Sequence, residues 1–151
     1  MEASFALVGP RRVLIAFDIS NTRVGVGLFD RARLAHSFGM STDVRRTPDE
    51  YSALLTAMLA ERRLLPTCIS SAVIGSVVPP VTDAFTQLCQ RSLTIEPVCV
   101  GAGTRTGIRI ATHNPRELGT DRVVNAVAAH HLYGGPAIVV DFSTATSFDV
   151  V

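Results

Sequence analysis

The sequence has 151 residues, 47% of them hydrophobic and 18% charged, with a formal net charge of +1. That is enough apolar material for one buried core, too much for a disordered chain, and too little charge imbalance to recommend nucleic acid as a partner. All fourteen basic residues are arginine, which excludes a Walker-type, Schiff-base or kinase-type lysine within the chain.

Residues 1–12 carry an acid at Glu2 and only a brief apolar run. They are expected to be a disordered extension, not a signal peptide. No apolar stretch approaches the roughly twenty residues of a membrane span, so no membrane partner is expected and a cytoplasmic location is. Val13 to Phe17 reads as a buried strand, and Arg23 to Phe29 returns beside it after a Ser20-Asn21-Thr22 turn. Leu34 to Met40 adds a third strand. Thr47-Pro48-Asp49-Glu50 supplies a hydroxyl cap, a proline at the first helical position and a capping-box glutamate. Tyr51, Leu54, Leu55, Met58 and Leu59 then form one apolar helix face.

Cys68 to Val78 reads as a central strand stopped by Pro79-Pro80, followed by a helix over Thr82 to Arg91 and a short strand over Pro97 to Val100. Alternating strands and helices after an opening meander indicate an α/β layer structure. The arginine pairs at 11–12, 45–46 and 62–63 are scattered and read as solvated faces. Cys68, Cys89 and Cys99 form no CxxC and are expected to be buried free thiols. The four histidines form no metal constellation; His130 and His131 are adjacent on a helix and point apart.

A loop from Gly101 to Gly107 precedes Gly119-Thr120-Asp121-Arg122, which opens a helix ending at Gly134-Gly135. In that first turn the helix dipole favours an ionised Asp121, and Arg122 is able to clamp a carboxylate. A plain capping aspartate beside a surface arginine fits the same four residues. The end of the chain repeats its beginning. Ala137 to Asp141 is an apolar strand leading to an acid, then a Ser143-Thr144 turn and a returning strand; Asp18 matches Asp141, and Ser20 matches Ser143. Turns rich in N–H and hydroxyl donors beside a carboxylate suit phosphate and its cation.

Three segments carry a family resemblance: Asp18-Ile19-Ser20-Asn21-Thr22; Asn114-Pro115-Arg116-Glu117 with Gly119, Asp121-Arg122 and Val124-Asn125; and Asp141-Phe142-Ser143-Thr144-Ala145-Thr146. Together they resemble the N-terminal half of type III pantothenate kinases. Ser41-Thr42-Asp43, Ser76-Val77-Val78-Pro79-Pro80 and Arg105-Thr106-Gly107 support the match between them.

The resemblance implies a ribonuclease-H-like (actin-like ATPase) domain over 13–135, a mixed sheet flanked by helices, with 136–151 the first hairpin of a second, truncated copy. It implies ATP-dependent phosphorylation of pantothenate to 4'-phosphopantothenate, the first step of coenzyme A synthesis, in a homodimer. ATP would meet Asp18, Ile19, Ser20, Asn21, Thr22, Arg23, Val24, Gly25 and Thr144. Asp18 would lie near Mg²⁺ or another divalent cation, and Asp141 would hold K⁺ or NH4⁺. Thr112, Gly119, Thr120, Asp121 and Arg122 would bind pantothenate, with Asp121 the general base and Arg122 the partner of its carboxylate.

The sequence departs from the family pattern in three ways. Ser20 and Ser143 stand where the family usually has glycine; serine there costs on the order of 1 kcal/mol if the turns need positive φ, although its hydroxyl also offers a hydrogen bond. Thr112 stands where a substrate-contacting tyrosine is common. The chain stops before the family's second domain, so no measurable kinase activity is expected of it alone. Two other readings remain open: a non-catalytic ligand-binding or regulatory relative, and a metal-dependent nuclease using Asp18 and Asp141. The neutral charge, the lack of a basic groove and the absence of a nearby glutamate count against the nuclease.

Overall fold

The computed structural model describes residues 13–101, 103–112 and 118–151. The N-terminal extension and the Asn114 to Glu117 part of the long motif lie outside the described residues. Three antiparallel strands, β1 (Val13–Ile19), β2 (Arg23–Asp30) and β3 (Arg33–Ser41), open the fold as expected. β4 (Ile69–Ser76) and the two-residue β5 (Val98–Cys99) then add in parallel, giving a five-stranded mixed sheet in the order β3-β2-β1-β4-β5.

β1 obeys period-two burial. Val13, Ile15, Phe17 and Ile19 face the core, while Asp18 opens to the other side. Val24, Val26, Leu28, Ala72 and Ile74 join the same core. Helices α1 (Pro48–Glu61) and α2 (Pro79–Leu88) supply its second layer through Tyr51, Leu55, Leu59, Val81, Phe85 and Leu88. Phe85 sits between Phe17 and Tyr51, with ring centroids 4.8 and 4.7 Å away.

The capping box forms as read. The Thr47 hydroxyl accepts from the Glu50 N–H at 3.3 Å, and the Glu50 carboxylate accepts from the Thr47 N–H at 2.7 Å. The second helix differs from expectation. It starts at Pro79, three residues before Thr82, and β4 ends at Ser76. Both prolines occupy first-turn positions, where a missing N–H breaks no helical bond. Past Leu88 the chain widens into a π-helical turn, Cys89–Leu93, closed by Thr94 in the left-handed conformation. Cys89 is buried, and desolvation pushes its thiol up to about 12, so it is an inert core thiol. Cys68 is half-buried and Cys99 is exposed on the edge strand, contrary to the expectation of three buried thiols.

Helix α3 (Thr120–Tyr133) packs on the face of the sheet opposite α1 and α2, over Gly75. The chain then forms a separate two-stranded sheet from β6 (Ile138–Phe142) and β7 (Thr146–Val150). This hairpin is inverted in polarity. Ile138, Phe142, Phe148 and Val150 are exposed, whereas Asp141, Ser147 and Asp149 are half-buried on the other face. Among the described residues no helix is long and apolar enough to cross a membrane.

Candidate functional site

The site starts from the polar residue of β1. Asp18 pairs with Gly25 on β2 and with Gly75 on β4, so it lies between two glycines on the sheet face away from the core. A Cβ at Gly75 would already touch Val124 and Thr120 of α3 at 3.7 and 3.8 Å, so the glycine sets how closely the helix approaches. That approach brings the first turn of α3 toward Asp18.

At the start of α3, Asp121 Oδ1 accepts the Arg122 N–H at 2.8 Å. A Cβ on Gly119 would collide with that same oxygen. Glycine is therefore what the carboxylate's position requires. Asp141, at the end of β6, receives the side-chain amide of Asn125 at 3.4 Å. The charges of these two acids, from distant segments, are felt at Asp18. Partial desolvation of its carboxyl, then the charges of Asp121 and Asp141, hold its pKa above the ordinary 3.8, with Arg23 pulling the other way.

A raised carboxyl pKa means that the folded chain holds this proton more tightly than the unfolded chain. The resulting stabilisation is complete below the unfolded value and is lost as pH rises through the higher folded one. Asp18→Asn is therefore expected to melt at a higher temperature than the parent at neutral pH. The advantage should shrink as pH falls through the window between the two values. A melting series showing the asparagine variant less stable at pH 7 would contradict the crowding.

The β1–β2 turn is closed by Ser20. Its Oγ donates to the Arg23 carbonyl at 3.0 Å and accepts the Arg23 N–H at 3.3 Å. Thr42 braces the turn from the end of β3, its hydroxyl donating to the Ser20 carbonyl at 2.7 Å and its N–H to the Thr22 carbonyl at 3.2 Å. The second turn is similar, with Ser143 Oγ donating to the Ala145 carbonyl at 3.3 Å. Neither serine has positive φ, so the strain considered for them does not arise. Asn21, Thr22 and Thr144 are exposed, as a ligand contact requires, whereas the side chains of Ile19 and Val24 are buried in the core and leave only their backbone for a ligand.

Beside α3 lies a cavity of about 410 Å³ whose lining includes Thr112, Leu118, Arg122, Val123, His130 and Asp149. Two expected substrate residues, Thr112 and Arg122, thus face one space. A wider groove of about 550 Å³, lined by Thr22, Arg23, Met40, Arg46, Leu54 and Met58, touches only the outer edge of the first turn; neither space is lined by Asp18, Asp121 or Asp141. Arg122 is held by Asp149 of β7: Nε donates to Oδ1 at 2.9 Å and to Oδ2 at 3.1 Å, and Nη2 to Oδ1 at 2.5 Å.

Sequence reasoning missed Asp149 and the bracing role of Thr42. A lone acid alternating with Phe148 and Val150 was the available signal for the former. For Thr42 the signal was only its place in the Ser41-Thr42-Asp43 segment.

The model of the family described as type III pantothenate kinase matches residues 14–151. A type III pantothenate kinase of Agathobacter rectalis is 44% identical over 139 residues, which are 92% of this chain and 54% of that protein. The one from Syntrophobacter fumaroxidans is 42% identical over the same shares. The chain therefore spans about half the length of these curated relatives. Among solved structures, a reductive activator for a corrinoid iron-sulfur protein superposes with a TM-score of 0.59 at 13% identity, covering 91% of this chain and 29% of that one. A PilM-PilN type IV pilus biogenesis complex gives 0.52 at 13% identity, covering 81% and 46%. At such identities the likeness concerns the fold alone, and it agrees with the actin-like ATPase architecture. The family-model match across almost every residue from β1 onward assigns the chain: it belongs to the type III pantothenate kinase family.

Proposed function

We propose that this chain carries the first half of an ATP-dependent pantothenate kinase, with residues 13–135 as its first domain and 136–151 as the opening hairpin of its second. The observation that carries the reading is that Asp18 feels the charges of Asp121 and Asp141, brought to it from two distant segments, while the same helix start sets Arg122 in the wall of a cavity that Thr112 shares. In the proposed reaction the primary hydroxyl oxygen of pantothenate attacks the γ-phosphorus of ATP. Its proton passes to Asp121, and the bond to the bridging oxygen breaks to leave ADP. Residues 119–122 would hold pantothenate, with Arg122 toward its carboxylate. The backbone and exposed polar groups of residues 18–25, with Thr144, would meet the phosphates.

Hard carboxylate oxygens suit Mg²⁺ near Asp18 and K⁺ or NH4⁺ at Asp141, and a cation would relieve the repulsion felt at Asp18. Among the described residues no three acids, histidines or cysteines stand close enough to hold an ion by themselves. That suits Mg²⁺, which keeps waters and shares its shell with nucleotide phosphates. The bound cation would neutralise charge on the transferring phosphoryl group. The outward apolar face of the β6–β7 hairpin, and relatives of which this chain spans about half, support a site completed by further protein; the family resemblance adds that this would be a homodimer in the cytoplasm.

Calorimetric titration of the purified chain with Mg·ATP and with pantothenate tests the reading, and binding of both is expected. Binding of neither would leave the non-catalytic relative as the better description. Pantothenate-dependent ADP release by the 151-residue chain alone would refute the half-site part of the proposal.

A further inference from the structure

Resting on the assignment of Arg122 to the substrate carboxylate, we propose that Asp149 is a positioning residue that fixes the Arg122 guanidinium and thereby sets the preference of the site for an anionic ligand. A guanidinium carries five N–H donors in a rigid plane, and a carboxylate able to grip one edge fixes the orientation of the rest. Asp149 grips the Nε and Nη2 edge through both of its oxygens, and the Phe148 carbonyl accepts a further Nη2 contact at 3.4 Å. Among the described residues nothing accepts from the Nη1 end, which is the end offered to a ligand.

Both partners are partly withdrawn from water, with side chains 38% exposed for Arg122 and 15% for Asp149, and both line the 410 Å³ cavity. Asp149 is itself held by strand register, opposite Val139 in the β6–β7 hairpin. The pair therefore ties the first turn of α3 to the hairpin at the wall of the cavity. Arg109 also lines it, so among the described residues two guanidinium groups stand beside one acidic side chain. A second carboxylate is the complement of that surplus. A ligand that displaced Asp149 would leave a half-buried charge without its partner, which disfavours the alternative that Asp149 merely holds the place of the substrate.

The test compares binding of pantothenate with that of pantothenol, in which the carboxylate is replaced by a hydroxymethyl group. The wild-type chain is expected to prefer pantothenate. Asp149→Asn should weaken pantothenate binding about tenfold, the loss of one charge-assisted contact, and leave pantothenol unchanged; Asp149→Glu should restore part of the loss. Equal weakening of both ligands would mean a merely structural role, and tighter pantothenate binding would mean a placeholder. Either result overturns the inference, as does no change, while leaving the proposed function standing. Failure of the wild-type chain to bind pantothenate at all removes both.

Should the asparagine variant fail to fold, the nitrogen-15 resonance of Arg122 Nε–H in the wild-type chain decides the matter. It should be protected before pantothenate is added and remain protected afterwards. Release on adding ligand would overturn the proposal.

Discussion

Phe85→Ala is expected to lower the unfolding free energy of the chain by about 3–5 kcal/mol, a large part of the roughly 5–15 kcal/mol typical of a whole domain. Phe85 is fully buried where β1, α1 and α2 meet, in edge-on contact with Phe17 and in tilted contact with Tyr51. Truncation would remove both aromatic contacts and leave a cavity that a rigid sheet and two helices could not fill. The damage should also travel. The Tyr51 hydroxyl accepts the Asp43 N–H at 2.9 Å and donates to the Asp43 carbonyl at 3.0 Å, and the adjacent Thr42 braces the Ser20 turn. Urea unfolding followed by circular dichroism measures the loss. Phe142→Ala, at a position 81% exposed, is the control and should cost far less; comparable losses at the two positions would contradict the assigned core.

Asp121→Asn has the largest expected effect on chemistry. In a full-length protein carrying these residues, pantothenate-dependent ADP release should fall by about 10²–10⁴-fold, the usual contribution of a positioned general base. Asparagine keeps the oxygen that accepts the Arg122 N–H, so the first turn of α3 should survive. Nucleotide and pantothenate binding should therefore persist while turnover is lost. A parallel fall in binding would recast Asp121 as structural. A second readout is independent of turnover. Asp121 is one of the two charges that raise the Asp18 pKa, so its removal should move the Asp18 titration downward.

How much of this was legible in the sequence follows the range of the interactions concerned. The capping box at Thr47 and Glu50 and the apolar stripe of α1 depend on residues three or four apart, and both stood as read. The opening meander was equally clear, because alternation along β1 and β2 is itself the burial pattern. The start of α2 was misread because a proline pair serves equally to stop a strand or to begin a helix. What decides between them is the Val78 carbonyl, which accepts the Thr82 N–H at 3.0 Å.

The candidate site was less legible. Its acids and Arg122 stood out from the repeated turn and the helix start, but their roles came through family resemblance, and their placement depends on Gly75 and Gly119, whose importance lies in what a side chain there would meet. The ion pair between Arg122 and Asp149 spans 27 positions, beyond any local pattern. The role of the two serines also needed backbone angles, since the same residue is strained or comfortable according to the sign of φ.

The alternation of β1 has a consequence for how this protein can change over time. Odd-numbered residues from Val13 to Ile19 hold the core, while Asp18 belongs to the opposite face and to the three acids. Adjacent codons thus answer to different pressures, one governing how much protein survives in the cell and the other what that protein can do. Stabilising changes can accumulate on one side of the strand without touching the other. A lineage that gave up catalysis could lose Asp18 and still keep its neighbours Phe17 and Ile19, leaving a well-folded protein free to acquire another use.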